Sequence, residues 1–209
     1  MGVSGLVACG SFATPSVDPQ EASVDASADA TAVPNEAGPA DANAPLDSGP
    51  DVVDAAPRVF RVFVTEGTTP GQFANGTDDA DALCAVSAGT ALPSRRWKAY
   101  LALPNALPRT RIVQVPGGWF DTMGNRVVDS PAGLDAPLDN PPKFDASGTA
   151  VSGKAWTGMR DGAPRNTCDA WRRSGQGEFG DIGDRVKWFA SGADDDCDRG
   201  SHLYCFEQP

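Results

Sequence analysis

Alternating apolar and polar positions predict a series of short strands beyond residue 57. The first is RVFRVFVT at 58–65, where β-branched and aromatic residues are concentrated. A hairpin is expected over 117–128, with its turn near Gly124-Asn125. The other predicted strands are 96–103, 111–115, 154–159, 167–173, 186–190 and 202–207. In the last of these, period-two alternation predicts that Tyr204 and Phe206 face away from Cys205.

One segment, DDADALCAVSAG at 78–89, has the spacing of a short helix rather than a strand. Thr77 or Asp78 is expected to cap its start, and Gly89 to end it. The residues expected to share its buried face are Ala80, Leu83, Cys84 and Ser87. Many short strands with one or two helices predict an α+β fold.

The pattern also gives expectations for the tryptophans and for a glycine-rich stretch. Four tryptophans lie in strand-like segments and are expected in the core, namely Trp97, Trp156, Trp171 and Trp188. Trp119 follows two glycines and is expected at the surface. GQGEFGDIG at 175–183 lacks the pattern of a phosphate-binding loop, so it is expected to be a flexible loop.

Charge divides the chain at residue 58. Nine of the 28 acidic residues precede it, and all 17 basic residues lie at or after Arg58. The body is therefore close to neutral, which excludes the basic field that nucleic acid binding requires. Residues 10–57 are rich in Ala, Asp, Pro, Ser and Val, and such a composition predicts a disordered acidic linker.

The first nine residues resemble the end of a lipoprotein signal. Leu6-Val7-Ala8-Cys9 has the apolar and small residues that precede the lipidated cysteine of a lipobox, although a basic segment and a full apolar stretch are lacking. We therefore expect residues 1–9 to be a truncated signal remnant with lipidation at Cys9. Residues 58–209 form the expected single folded domain.

Four cysteines remain when Cys9 is set aside: Cys84, Cys168, Cys197 and Cys205. An even number of cysteines fits disulfide bonding in an oxidising compartment. Four cysteines allow three pairings, and spacing alone leaves these alternatives open.

Several stretches occur in an order that points to a known family. They are DADALC (79–84), RWKAYLAL (96–103), KAWTGMRDG (154–162), NTCDAW (166–171) and CDRGSHLYCFEQ (197–208). Together they resemble C-type-lectin-like domains, and more closely the endostatin-like domains found also in bacterial surface lipoproteins of myxobacterial type. The resemblance implies a C-type-lectin-like fold of mixed short-stranded sheets. It also implies two nested disulfides, Cys84–Cys205 and Cys168–Cys197.

The sequence contains two candidate sets of metal ligands. The four aspartates Asp194, Asp195, Asp196 and Asp198 could supply calcium ligands, but the ligand tripeptides of calcium-dependent C-type lectins are absent. A solvated acidic loop is favoured there. His202 is the single histidine, and an exposed or rim position is favoured over a role as a ligand.

No catalytic motif is found, and no cofactor is expected. The sequence therefore predicts a non-enzymatic protein of the cell envelope, anchored to the outer membrane by lipid or secreted. Its domain would bind an extracellular glycan or protein, and its membrane contact would be the lipid anchor alone. A calcium-dependent lectin is the first alternative, and an enzyme with an unrecognised carboxylate site is the second.

Overall fold

The computed structural model describes residues 58–93 and 95–209, and every element below lies in these ranges. The strands are β1 (Phe60–Val64), β2 (Thr69–Pro70), β3 (Arg96–Ala99), β4 (Trp119–Phe120), β5 (Arg126–Val128), β6 (Lys154–Trp156), β7 (Met159–Arg160), β8 (Ala163–Pro164), β9 (Gln176–Asp181), β10 (Asp194–Asp196), β11 (Gly200–Ser201) and β12 (Tyr204–Gln208). The helices are α1 (Thr77–Ala88) and the single turn α2 (Cys168–Trp171), with 3-10 helices at Pro108–Arg111 and Pro131–Asp135. This mixed α+β arrangement of several small sheets agrees with the class that the sequence predicts.

The main sheet has the strand order β3-β12-β1-β4-β5. β12 pairs antiparallel with β3 and with β1, so Cys205 lies beside both Ala99 and Phe63. β1 pairs in parallel with β4, which places Phe60 beside Trp119. The last strand of the chain thus lies inside the sheet, and all five of its residues are buried.

Two hydrophobic cores lie against β12, and strand alternation separates them. Tyr204 and Phe206 pack into one core together with Trp119 and Trp188. Cys205 belongs to the other core, which also contains Trp156 and Trp171. The predicted opposition of Cys205 to its two aromatic neighbours is confirmed. The four tryptophans expected inside are all buried, and the most exposed of them is Trp97 at 5%.

Helix α1 forms where it is predicted but presents a different face to the sheet. Its buried residues are Ala80, Cys84 and Ala88, while Leu83 and Ser87 are exposed. The helix is turned toward the sheet by Asp81, which accepts hydrogen bonds from the Ala99 amide at 2.8 Å and from Arg111 Nη2 at 2.8 and 2.9 Å. The expected cap at Thr77 or Asp78 is wrong, since Gly76 precedes the helix and no side chain caps it.

Three predicted strands are absent from the described residues, where the chain turns instead. Residues 111–115 follow a 3-10 helix that begins at Pro108. Residues 186–190 lie in a turn in which Asp184 accepts two backbone hydrogen bonds at 2.8 Å. Residues 167–173 contain α2, whose residues all have positive φ. The hairpin over 117–128 is confirmed as β4 and β5.

The glycine-rich stretch 175–183 forms strand β9, not the flexible loop that the sequence predicts. β9 is the central strand of a three-stranded sheet of order β10-β9-β6. Its glycines allow close packing, since a Cβ at Gly180 would lie 1.8 Å from the Trp188 carbonyl oxygen. A Cβ at Gly177 would likewise lie 2.8 Å from Cys168 Sγ. The glycines therefore fit a buried strand rather than a mobile segment.

Two disulfide bonds join the elements, Cys84–Cys205 and Cys168–Cys197. The first links α1 to the interior strand β12 across 121 residues. The second links α2 to the residue that follows β10 across 29 residues. These nested pairs are the ones that the family resemblance implies. In the described residues, no helix is long and apolar enough to cross a membrane.

Candidate ligand-binding site

An apolar cleft of about 650 Å³ lies at the end of the main sheet where β1 begins and β12 ends. Its lining residues are Arg58, Val59, Phe60, Pro116, Gly117, Phe120, Arg126 and Pro209. The volume is within the range of roughly 300–1,000 Å³ that is typical of small-molecule sites, and predominantly apolar walls with few polar groups are typical as well.

The parallel pairing of β1 with β4 builds the walls of this cleft. It sets Arg61 beside Phe120, so Phe60 and Phe120 come from neighbouring strands. The chain enters β4 through Gly117 and Gly118, which have φ of 74° and 76°. A Cβ at Gly118 would lie 2.2 Å from the Val128 carbonyl oxygen, so a glycine is required at this turn.

Trp119 is fully buried behind the cleft, and the expectation of an exposed Trp119 is wrong. Its indole N–H donates to the Glu207 carbonyl oxygen at 2.8 Å, which fixes β4 against the end of β12. The two preceding glycines produce the turn that directs the ring inward. This packing holds the cleft on rigid strands.

Two arginines stack on the aromatic walls. The guanidinium of Arg58 lies 4.9 Å from the centre of the Phe60 ring, and that of Arg126 lies 5.3 Å from the centre of the Phe120 ring. Such cation–π contacts hold a cation against an apolar surface. Each aromatic wall of the cleft therefore carries a positive charge.

Each arginine of the cleft lining pairs with a carboxylate that lies outside the lining. The buried carboxylate of Glu207 pairs with both Arg58, at 2.7 Å, and Arg95, and it also accepts the Arg61 amide at 2.9 Å. Arg126 pairs with Asp129 at 2.6 Å, and both side chains are more than half exposed. An exposed pair of this kind contributes at most about 1 kcal/mol, so Arg126 is readily available to another anion.

The lining of the cleft supplies binding groups rather than catalytic ones. It contains no Ser, Cys, His, Asp or Glu, so the cleft residues offer neither a nucleophile nor a general base. The two guanidinium groups can attract and orient an anion.

The candidate calcium ligands do not converge in the structure. Asp194–Asp196 form β10, which pairs with β9, so the expected solvated loop is here a strand. Asp194 lies 3.4 Å from Arg160, and Asp195 lies 3.4 Å from Lys154 and 3.3 Å from Arg199. Asp196 lies 3.9 Å from Arg199, and Asp198 is exposed. Among the residues that the structure describes, no group of three or more His, Cys, Asp or Glu could hold a metal ion.

His202 is buried at 9% exposure, which corrects the expected exposed position. Its Nδ1 lies 2.7 Å from the Thr65 carbonyl oxygen, and its backbone bridges to Ala155 of β6. The histidine therefore connects the two larger sheets. The contact with Thr65 keeps the His202 ring inside the protein. The strand pattern of the sequence gives no sign of this contact.

A second polar cluster was missed because 175–183 is predicted to be a loop. The buried Glu178 of β9 accepts hydrogen bonds on Oε1 from Arg160 and Asn166, each at 2.9 Å. Asn166 also donates to Asp194 at 2.9 Å. Glu178 Oε2 is buried with no hydrogen-bond partner. Burial raises the pKa of the Glu178 carboxyl, and the charge of Arg160 opposes this rise.

The cleft residues were also missed by the sequence reasoning, although a signal was present. Arg58 stands two residues before Phe60 in a strand, the spacing that puts both side chains on one face. Arg126 and Phe120 belong to the two arms of the predicted hairpin. Cys9, the predicted lipidation site, lies outside the described residues, as do the predicted segments 1–9 and 10–57.

The cleft has apolar walls, two arginine side chains and a frame of paired strands, and these features support a functional assignment. No family model matches the chain, and no curated protein matches it.

Proposed function

We propose that residues 58–209 form a non-catalytic ligand-binding domain that acts outside the cytoplasm, with the apolar cleft as its binding site. The observation that carries the proposal is the composition of the cleft lining, which is apolar except for two arginines stacked on aromatic rings. Such a lining binds an apolar ligand body and contains no group for chemistry on it.

The two disulfides support a location outside the cytoplasm, because disulfides persist in oxidising compartments. For the anchor, we propose that Cys9 is lipidated and that residues 10–57 separate the domain from the outer membrane. Protein expressed with a complete lipoprotein signal before Cys9 should then partition into detergent, and the Cys9→Ser variant should not. Equal partitioning of the two forms would exclude the anchor.

We further propose that the domain is endostatin-like, within the C-type-lectin-like group. The nested disulfides support this, as does the link from the first helix to a last strand inside the sheet. A calcium-dependent lectin has less support, since three of the four candidate aspartates lie beside arginine or lysine. An enzyme has less support as well, because Glu178 and Asp194 do not line the cleft.

Titration with N-phenyl-1-naphthylamine tests the proposal, because this uncharged dye becomes fluorescent in apolar surroundings. We expect saturable binding to the full chain. Val59 lines the cleft and is 40% exposed, so Val59→Asp should fold normally. A carboxylate there should weaken binding of the dye by at least about tenfold, because charged groups are costly against apolar walls.

Val86→Asp is the matched control. Val86 is an exposed valine of α1, at 76% exposure, and it does not line the cleft. This variant should bind the dye as the unchanged protein does. If the dye does not bind the full chain, or if both variants weaken its binding equally, the cleft is not the binding site.

A further inference from the structure

We infer that the ligand of the cleft is a small amphipathic monoanion, with an apolar body between the aromatic walls and one carboxylate or sulfonate held by Arg58 and Arg126. This inference rests on the proposed function and adds the chemical class of the ligand. It starts from the two arginines, which are the charged side chains of the cleft lining.

The first step concerns the freedom of Arg126. Its partner Asp129 is 72% exposed and lies three residues further along the chain. Their ion pair is therefore screened by water. Asp129 does not line the cleft. An anion inside the cleft would meet the same guanidinium at a less hydrated position, where the attraction between opposite charges is stronger.

The second step concerns Arg58. Its partner Glu207 also pairs with Arg95, so one carboxylate is shared between two guanidinium groups. Because Glu207 is fully buried and Arg58 is 53% exposed, Arg58 retains donors on its outer side. Glu207 thus leaves part of the Arg58 guanidinium able to bind an anion in the cleft.

The third step concerns the number of negative charges on the ligand, which we infer to be one rather than several. The remaining lining residues are Val59, Phe60, Pro116, Gly117, Phe120 and Pro209, and none of their side chains is charged or able to donate a hydrogen bond. A polyanion would bring further charges against these walls and leave them without partners, which is unfavourable. A ligand with one anionic group and an apolar remainder matches both parts of the lining.

Two dyes with the same aromatic framework test the inference. One is 1-anilinonaphthalene-8-sulfonate, an anion, and the other is the uncharged N-phenyl-1-naphthylamine. In Arg126→Gln the affinity for the sulfonate should fall by about tenfold, the effect expected for loss of one charge-assisted hydrogen bond. The affinity for the uncharged dye should change by less than about twofold. Arg126 is 57% exposed, so its loss should not disturb folding.

Two further variants sharpen the comparison. Asp129→Asn removes the competing carboxylate, so sulfonate affinity should rise by about twofold, in keeping with a weak exposed pair. Arg173→Gln is the matched control, since Arg173 is an exposed arginine paired with the nearby Asp169 and does not line the cleft. It should leave the affinity for both dyes unchanged. Added salt should weaken sulfonate binding and leave the uncharged dye unaffected.

The outcomes separate the inference from the proposed function. If Val59→Asp weakens the uncharged dye but Arg126→Gln leaves sulfonate affinity unchanged, the cleft is the site and the monoanion is wrong. If added salt has no effect on the affinity for the sulfonate dye, this second measurement also contradicts a monoanionic ligand. If Val59→Asp changes neither dye, the proposed function itself fails.

Discussion

At the scale of single residues, Glu178 shows how burial and charge oppose each other in this domain. Its side chain is fully buried, one oxygen accepts from Arg160 and Asn166, and the other has no partner. Burial raises its pKa above the ordinary 4.5, while the Arg160 charge limits the rise. Arg160 also lies beside Asp194, so it keeps a counter-charge when Glu178 is replaced.

We predict that Glu178→Gln changes the pH dependence of stability. A carboxyl whose pKa is raised on folding favours the folded state while it is protonated. This contribution is therefore lost as the pH rises from 4.5 through the folded pKa. Glutamine does not titrate, so the free energy of unfolding of the variant, relative to the unchanged protein, should increase over this window. Urea unfolding at a series of pH values measures it.

Asp145→Asn is a control with the opposite sign. Burial alone would raise the pKa of Asp145, but hydrogen bonds from Ser147 and Thr149 outweigh it and lower the pKa below 3.8. The ionised form thus stabilises the fold above 3.8, and this contribution is lost as the pH falls through the folded pKa. Parallel pH trends in the two variants would contradict the assignment.

The residues that the sequence predicted correctly are those whose environment follows from local alternation. Cys205 is one, because its neighbours Tyr204 and Phe206 are apolar and the strand is short. Trp119, His202 and Glu178 could not be predicted, because each is held by a group far away in the chain. Trp119 donates to Glu207, which is 88 residues away, and His202 contacts Thr65 across 137 residues.

At the scale of elements, α2 departs from the strand that its sequence predicts. Cys168, Asp169, Ala170 and Trp171 have φ between 50° and 67°. Long-range contacts hold this left-handed turn, since the Trp171 indole donates to the Ala102 carbonyl at 2.6 Å and Cys168 is tied to Cys197. Left-handed backbone costs L-residues roughly 1–2 kcal/mol each, which the packing must offset.

We predict that Ala170→Gly stabilises the domain, by about 1 kcal/mol, because glycine adopts φ of 57° without the steric cost. Ala82→Gly, on the exposed side of α1, is the control and should destabilise by about 1 kcal/mol. Thermal and urea unfolding compare the two. If both substitutions destabilise to the same extent, the turn at α2 is not left-handed.

Elements formed by short-range contacts were predicted better than elements that depend on distant ones. The β4–β5 hairpin closes over its own turn, where Asp121 accepts the Asn125 amide at 2.8 Å, and it was predicted correctly. Residues 186–190 are as apolar as a strand, yet Trp188 turns inward to donate to the Ala136 carbonyl at 2.9 Å. The pattern of apolar residues alone does not distinguish these cases.

At the scale of the whole molecule, the α+β class followed from the sequence, but the candidate site did not. The cleft is formed by residues 58–60, by the start of the hairpin and by Pro209. The first and last of the described residues thus meet at one place, and only the strand order brings them together. Period-two alternation predicts strands but not which strands pair, so it could not place Arg58 and Arg126 in one cleft.

The two disulfides are expected to contribute unequally to the stability of the whole domain. In the chain-entropy model, a bridge stabilises by restricting the unfolded chain, and the effect grows slowly with loop length. For separations of 121 and 29 residues, the model gives about 5 kcal/mol for Cys84–Cys205 and about 3.5 kcal/mol for Cys168–Cys197. The first bridge also fastens α1 to the interior strand of the main sheet.

We therefore predict that the double variant Cys84→Ala/Cys205→Ala is less stable than Cys168→Ala/Cys197→Ala. A typical domain is stable by only about 5–15 kcal/mol, so loss of the longer bridge should remove a large part of the stability and lower the urea midpoint the more of the two. The second variant should stay folded with a lower urea midpoint. Peptide mapping without reductant should recover the bridge that each variant retains. An inverted order of stability, or a peptide joining Cys197 to Cys205 in the unchanged protein, would contradict the nested arrangement, whose four cysteines all lie in one core.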